Sequence, residues 1–469
     1  MRPISIKSFL LRPRSDLHIV RILIAGCIVL YLAIFAGVYL YAKDHLPLEQ
    51  MLGYGLTNHH DIVEYKLLAE TMIHDGKFAL SADAPFETAR IPGYPLFLAL
   101  LLVVFKTTLV APLFQLAFTA ATVAMIYLIG VRYFPRSIAF FAAALYMIDP
   151  IVIYTTGVPQ SESLFMLLFI GSIYAITTSA KRAWIPFVIA GILLGLSAYV
   201  RQASLYLAPI IALLAYTRGV PWKTLLKNTA IFLVTIFCVT APWMIRNYHH
   251  YGHFAFSSLR DWQTYAYNMA LFEQVRTGQN YNEIQAKYSE QFGTTDEHLL
   301  RQFNYTDKLR PITMEKILDH PFQYAAFHVY KALALFITSG IVNVNYHLYQ
   351  FGIFEGGVKF GEGAWGMLVQ HKWHDAFIQI FSHFPRLAER LLLGLLYLGT
   401  WYTACMALWK RQEHAVWIVG AFIMINFYAF MIGPGSDDTR YRMAAEPFVF
   451  LLGFYAFYQI GQKLWVRFR

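Results

Sequence analysis

Long apolar runs separated by short basic loops set the pattern of this chain. The runs lie near 22–42, 109–131, 137–154, 162–180, 184–200, 203–217, 228–245, 387–408, 414–432 and 444–464. They approach or reach the ~20 residues that a helix needs to cross a ~30 Å hydrocarbon core. Ten spans are therefore predicted, the shorter ones shielded by their neighbours. Two longer segments interrupt the series. The first, 43–108, ends in an apolar piece over 92–105 that is too short to cross with ease. The second, 246–386, has a polar part at 272–320 in which Thr294-Thr295-Asp296-Glu297 reads as a capping box opening a helix. A further apolar run at 322–342 breaks the parity; if it spans, its partner falls between 343 and 386, and eleven to thirteen spans stay open. The chain thus divides into a membrane module at 1–245 that includes the 43–108 loop, a large membrane-adjacent segment at 246–386, and C-terminal spans at 387–469.

Composition agrees with that pattern. The 469 residues are 57% hydrophobic and only 14% charged, with a mean hydropathy of +0.45, whereas soluble domains carry about 25% charged residues. The expected fold class is an all-α polytopic membrane protein. The net charge of +10 could suggest nucleic acid, but its distribution points elsewhere. Arg2, Lys7, Arg12, Arg14 and Arg21 precede the first span, Lys463, Arg467 and Arg469 close the chain, and most of the rest sit in short loops between spans. With both termini cytoplasmic, these groups fall on the cytoplasmic side, as the positive-inside rule expects. Cys27, Cys238 and Cys405 lie within apolar runs and imply neither a disulfide framework nor a zinc motif. The first apolar run is too long for a signal-peptide core and reads as an anchor.

The first loop carries the candidate chemistry. Asp61, Tyr65, Leu68 and Met72 recur at helical spacing, with Ile62, Ala69 and Ile73 widening the apolar side. Gly76 marks the C-terminal stop, and Glu64 and Glu70 are expected to point elsewhere. Partial burial is expected to raise the Asp61 carboxyl toward the range of a general base. A helix N-cap is the plainer reading of that aspartate, and composition alone favours it.

Three motifs change the balance. D-x-x-x-Y-x-x-x-A-x-x-x-x-x-x-G-x-F at 61–78 is followed by R-x-P-G-Y-P-L-F at 90–97; A-P-W-M-I-R-N-Y occupies 241–248, and R-Y-R-M-A-A-E-P occupies 440–447. Together they resemble the GT-C glycosyltransferases, in the branch containing protein O-mannosyltransferases and lipid A aminoarabinose transferases. The resemblance implies a sugar donor carried on a polyprenyl phosphate, transfer on the extracytoplasmic face of a cell membrane to a lipid, glycan or protein acceptor, and an aspartate base that maps onto Asp61. Relatives often have an Asp-Glu pair there; this chain has Asp61-Ile62, and Glu64, the next acid, is the candidate to stand in for the missing catalytic partner.

That chemistry asks for cations to hold the lipid phosphate as it leaves. Arg90, Arg201, Arg246 and Arg440 fit, being basic residues expected at the outer boundary where the positive-inside bias would remove them. Arg442 divides evenly between that role and snorkelling to head groups. Tyr65, Tyr94, Glu162 and Asn247 are candidate substrate contacts, although Glu162 also suits the positive end of a helix dipole. Tyr54, Tyr265 and Tyr267 could stack on sugar. No cofactor is expected. A divalent metal held by His59, His60, His249, His250 or His253 with Asp61 or Glu64 is the less favoured option, since no local metal spacing is present. A secondary transporter or lipid flippase is the rival class, against which stands the crowding of polar candidates at one boundary.

Overall fold

The computed structural model describes residues 14–44, 47–52, 60–177, 184–215, 221–291, 293, 296–344, 373–412, 414–433 and 438–467, and these are helical almost throughout. The longer helices are α1 (Arg14–Ala42), α2 (His60–His74), α3 (Gly93–Phe105), α4 (Ala111–Tyr133), α5 (Arg136–Ile148), α6 (Pro150–Gly157), α7 (Glu162–Thr177), α8 (Ile185–Val200), α9 (Ala203–Leu214), α10 (Trp222–Tyr251), α11 (Phe303–Asp319), α12 (Pro321–Ala334), α13 (Trp373–Trp409), α14 (Ala415–Ile432) and α15 (Glu446–Arg467). Among the described residues, five helices are long and apolar enough to cross a membrane, or six if the pair α5–α6, bent by 51°, is one span. The chain is an integral membrane protein of the all-α class.

Each predicted span coincides with a helix, one of them broken, but α1, α10 and α13 extend well beyond the predicted bounds, and α7, α8 and α9 are only 16, 16 and 12 residues long. The run at 137–154 is interrupted at Asp149-Pro150, where the proline cannot donate and Asp149 accepts a hydrogen bond from Ile151 N at 3.0 Å to restart the helix as an N-cap. The ambiguous run at 322–342 forms α12, only 14 residues long, about 21 Å at 1.5 Å per residue, and it packs on α14. Any partner for it would fall largely in 345–372, outside the described residues, as do Thr294 and Thr295 of the expected capping box. Asp296 does accept from His298 N at 2.9 Å at the start of the short helix Glu297–Leu300. Cys238 and Cys405 are exposed on the apolar surface rather than buried, whereas Cys27 is buried.

Small residues and buried polar groups bring the helices together. Gly191 and Gly195 of α8 let α10 approach so closely that a Cβ on either would stand 2.7 Å from Thr235 Cβ or Val239 Cγ1, the small-xxx-small packing of membrane helices. Gln115 of α4 donates through Nε2 to the carbonyls of Thr155, Thr156 and Val158 at 3.1, 3.0 and 2.7 Å. Those groups end α6 and would otherwise be orphaned inside the bundle. The same Gln115 accepts from Tyr94 Oη at 2.6 Å, so α3, α4 and the turn leading to Glu162 are locked in one register.

A second polar knot lies deeper. Arg442, only 1% exposed, donates to Glu446 Oε1 at 2.5 Å, to Asp149 at 3.3 Å, to Glu389 Oε1 at 3.3 Å, and to the Thr338 carbonyl. It joins α13, α15 and the α5–α6 break to the turn after α12. Snorkelling is thereby excluded for this arginine, because three carboxylates hold it inside the protein.

Gly93 starts α3 hard against the end of α8, where a Cβ would meet the Tyr199 carbonyl oxygen at 2.5 Å and Val200 N at 2.9 Å. Backbone atoms cannot swing aside. Gly93→Ala is expected to lower stability by about 1–3 kcal/mol, read as a reduced thermal midpoint of the detergent-solubilised protein by size-exclusion chromatography.

Candidate active site

Four separate stretches of chain deliver Asp61 with Glu64, Arg90, Arg201 and Arg440 to one another. The first is α2, which buries Ile62, Leu68 and Ala69 and so orients the Asp61 side. Asp61 and Glu64 are three residues apart, hence about 60° apart around the helix, and both face Arg90. Arg90 Nη2 donates to Asp61 Oδ1 at 2.6 Å while Nε donates to Glu64 Oε2 at 2.5 Å. Glu64 therefore does not point away from Asp61, as the apolar pattern suggested; a shared guanidinium draws the two together.

The loop before α3 is shaped for this. Glu87 Oε1 accepts from the backbone N–H groups of Thr88, Ala89 and Arg90 at 2.9, 2.7 and 3.0 Å, which curls the chain and aims Arg90 inward. The third stretch is the α8–α9 turn, which presents Arg201. Its Nη2 donates to Glu162 Oε1 on the first residue of α7, and its guanidinium lies 5.2 Å from the centre of the Tyr441 ring. The fourth, Thr439–Ala444, carries Arg440, whose Nη1 donates to Asp61 Oδ2 at 3.1 Å and lies 3.8 Å from Glu162 Oε1. Asp438 accepts from Arg440 Nε at 2.7 Å and from Arg440 N at 3.0 Å.

The outcome is an alternating row of charges. Arg301 donates to Glu64 Oε1 at 3.2 Å, so the row runs Arg301, Glu64, Arg90, Asp61, Arg440, Glu162, Arg201, with Asp438 beside Arg440. A cavity of about 400 Å³ opens on its middle, lined by Asp61, Tyr65, Arg90, Arg201, Tyr428 and Tyr441 together with Tyr206, Arg260, Gln263 and Thr264. That volume is within the range of small-molecule sites. Burial pushes the Asp61 carboxyl up, but Arg90 and then Arg440 pull it down harder, and the net position is well below the usual carboxylate range. This reverses the expectation that burial would raise it, because two guanidiniums outweigh the loss of water.

Of the other expected site residues, Glu162 belongs to the row without lining the cavity, and Arg246, Asn247 and Tyr94 lie outside both. Arg246 Nη1 donates to the Glu87 carbonyl at 3.0 Å and to Asn247 Oδ1 at 2.8 Å, and the guanidinium sits 4.5 Å from the Trp243 ring centre. Asn247 donates to the Ala255 carbonyl at 2.8 Å. Arg246 braces the loop that carries Arg90, Asn247 braces the turn at 255–256, and neither lines the cavity. Tyr94 is buried beneath Tyr65, with ring centres 5.1 Å apart. Glu162 stands behind Arg201, 1% exposed, with Oε2 buried and unpaired. Tyr267 meets Tyr281; the Tyr265 side chain, His59, the His60 side chain and Tyr54 lie outside the described set. His253 pairs with Asp307 at 3.2 Å, and His250 packs against Phe86 with the rings tilted by 35°. Among the described residues, no group of three or more His, Cys, Asp or Glu side chains is arranged to hold a metal ion.

Residues that sequence reasoning missed complete the wall. Arg260, Gln263 and Thr264 come from a helical stretch that turns π-helical over Gln263–Met269. It is tied to the Arg90 loop by Ser258 Oγ with Thr88 Oγ1 at 2.9 Å and by Ser257 Oγ donating to the Ala89 carbonyl at 2.8 Å. Arg301 is 8% exposed, under the Trp262 ring at 4.6 Å.

Residues 85–245 match the model of the dolichyl-phosphate-mannose-protein mannosyltransferase family. The match covers about a third of the chain and includes Arg90, Glu162 and Arg201; it bears out, over that stretch, the resemblance to GT-C glycosyltransferases. No curated protein sequence matches the chain. Solved structures with a similar arrangement include the oligosaccharyltransferase of Archaeoglobus fulgidus tethered with an acceptor peptide, at 15% identity and a TM-score of 0.45, covering 93% of this chain and 50% of that one. Another is ArnT from Cupriavidus metallidurans bound to undecaprenyl phosphate, at 12% identity and a TM-score of 0.41, covering 88% of this chain and 78% of that one. The chain spans about half the length of the oligosaccharyltransferase it matches.

Because the Asp61 carboxyl sits lower in the folded protein than in an unfolded chain, its ion pairs stabilise the fold above the unfolded value and are lost as pH falls through the folded one. The side chain is 27% exposed, which moderates the effect. Asp61→Asn is expected to cost about 1–2 kcal/mol at neutral pH, and the gap in thermal midpoint between variant and wild type should narrow as pH falls below about 4.

Proposed function

We propose that the chain is an integral-membrane glycosyltransferase that moves a sugar from a polyprenyl-phosphate carrier to a lipid, glycan or protein acceptor on the extracytoplasmic face, with both termini cytoplasmic. The observation that carries this reading is the convergence of Asp61, Arg90 and Arg201 on one cavity, with Arg440 backing Asp61. The family matched by 85–245 takes its sugar from dolichyl phosphate, by its description, and supports the donor class.

In the transfer, the acceptor hydroxyl or amine gives its proton to Asp61 as its oxygen or nitrogen bonds to the anomeric carbon. The bond from that carbon to the phosphate oxygen breaks on the opposite face, and its electron pair leaves with the lipid phosphate. Direct displacement inverts the anomeric centre. Arg90 and Arg201, with Arg440, neutralise the departing phosphate, since guanidinium offers parallel N–H groups to two phosphate oxygens. Arg246 is left out of that set because it does not line the cavity, its Nη1 being turned to the Glu87 carbonyl. Glu162 acts through Arg201, which it orients from behind, and Glu64 does the same for Arg90. Tyr65, in the cavity wall, is the remaining candidate for sugar contact. Arginine neutralisation of a single phosphate removes the need for a catalytic metal, so chelation should leave transfer unchanged.

Purified protein incubated with labelled polyprenyl-phosphate sugars and membrane extract tests the reading. Wild type should label an acceptor, and Asp61→Asn should lose at least about 100-fold in rate. Arg201→Ala should also lose transfer while inserting normally in the membrane; full turnover by that variant would remove Arg201 from the site. An absence of any Asp61-dependent transfer would favour the transporter class.

A further inference from the structure

Both oxygens of Asp61 are taken. Oδ1 accepts from Arg90 at 2.6 Å and Oδ2 from Arg440 at 3.1 Å. A carboxylate clasped in this way is a poor proton acceptor, since taking a proton would break two charge-assisted bonds. The same two guanidiniums belong to the set a phosphate group would need. The row also balances: Arg301, Arg90, Arg440 and Arg201 face Glu64, Asp61, Asp438 and Glu162. Arg260, the other arginine in the lining, is paired with Asp261 at 3.3 Å, so among the described residues an arriving anion must take guanidinium N–H groups from a carboxylate already present.

Only one of those carboxylates is placed to yield. Glu64 and Glu162 have side chains 8% and 2% exposed and stand behind their arginines. Asp438 is 28% exposed but does not line the cavity, and it holds Arg440 through both side chain and backbone N–H. Asp61, at 27%, lines the cavity itself.

Building on the donor reading above, we propose that the lipid phosphate switches the base on: it takes the Arg90 and Arg440 N–H groups from Asp61, and the released carboxylate then receives the acceptor's proton. Phosphate and Asp61 are alternative partners of the same two arginines. Without donor, the clasp keeps Asp61 idle. With donor, the carboxylate stands in a partly desolvated cavity with its two strongest stabilising contacts gone, and its basicity rises. The order of events follows, with donor bound before the acceptor can be deprotonated. In population terms, the ligand favours the open state by binding only there.

The test is a competition. Asp61→Asn keeps the side-chain shape but pairs with neither guanidinium as an ion. The affinity of the solubilised full chain for farnesyl monophosphate, measured by thermophoresis, should be about tenfold tighter in Asp61→Asn than in wild type. Equal or weaker binding by the variant would overturn the exchange. Should the asparagine variant fail to fold, Asp61→Ser carries the same expectation. Inorganic phosphate titrated in parallel should bind more weakly; equal affinity would overturn the assignment to a lipid head group. Transfer by the same variant judges the base separately. Tighter binding with wild-type transfer would sink Asp61 as base while leaving the exchange standing, and unchanged binding with lost transfer would do the reverse.

Discussion

Arg90 has one guanidinium and two carboxylates to satisfy, and the geometry of the site depends on that sharing. Its Nε and Nη2 reach Glu64 and Asp61 from one planar fork, which is why two acids on adjacent faces of α2 end on the same side. Lysine, with a single point charge on a flexible stem, would not impose that arrangement. Each neighbour repeats the constraint, since Glu64 is shared with Arg301 and Asp61 with Arg440. Removing a sealed partner such as Glu64 leaves Arg90 and Arg301 uncompensated, at a cost of about 3–5 kcal/mol, whereas Asp61, 27% exposed, is the cheaper one to lose.

Helix packing alone would not hold that row. Arg90 is aimed by the three N–H groups that Glu87 gathers, and that loop is in turn braced by Arg246, by Tyr251 donating to the Phe86 carbonyl at 2.5 Å, and by the serines at 257 and 258. Glu162 is set by the end of α6, which Gln115 secures. Backbone polar groups inside a membrane protein need partners within the protein, and here the satisfaction of those groups is also what places the charged side chains. Stability and site geometry come from the same hydrogen bonds.

Much of this was legible from the apolar pattern and three short motifs. The helices, the cluster around Asp61, and the cations Arg90, Arg201 and Arg440 follow from run length and from charges that a membrane boundary tolerates only for a reason. The rest depended on distance. Glu64 was expected to face away because hydrophobic periodicity describes what a helix buries in apolar contact, and Glu64 is buried by arginines instead. Arg246 has the composition of a phosphate ligand and the location of a loop brace; only the position of the Glu87 carbonyl separates the two. The wall formed by Arg260, Gln263 and Thr264 depends on a π-helical turn, whose extra residue per turn shifts which side chains share a face. Arg301 lies 237 residues from Glu64 in sequence, and no local signal links them.

The two arginine-carboxylate clusters show why chemistry cannot be read from residue type. Arg442 with Asp149, Glu389 and Glu446 uses the same groups as Arg90 with Asp61 and Glu64. The first is sealed at 1% exposure for Arg442, and its members tie helix ends together. The second opens on a cavity through Asp61. A sealed cluster can exchange partners only if the bundle itself opens, so its pairs are permanent. A cluster facing a cavity can exchange them with a ligand, and an acid held there can change its partners without the fold changing its own. Access to the cavity, more than the identity of the charges, therefore distinguishes Asp61 from Asp149.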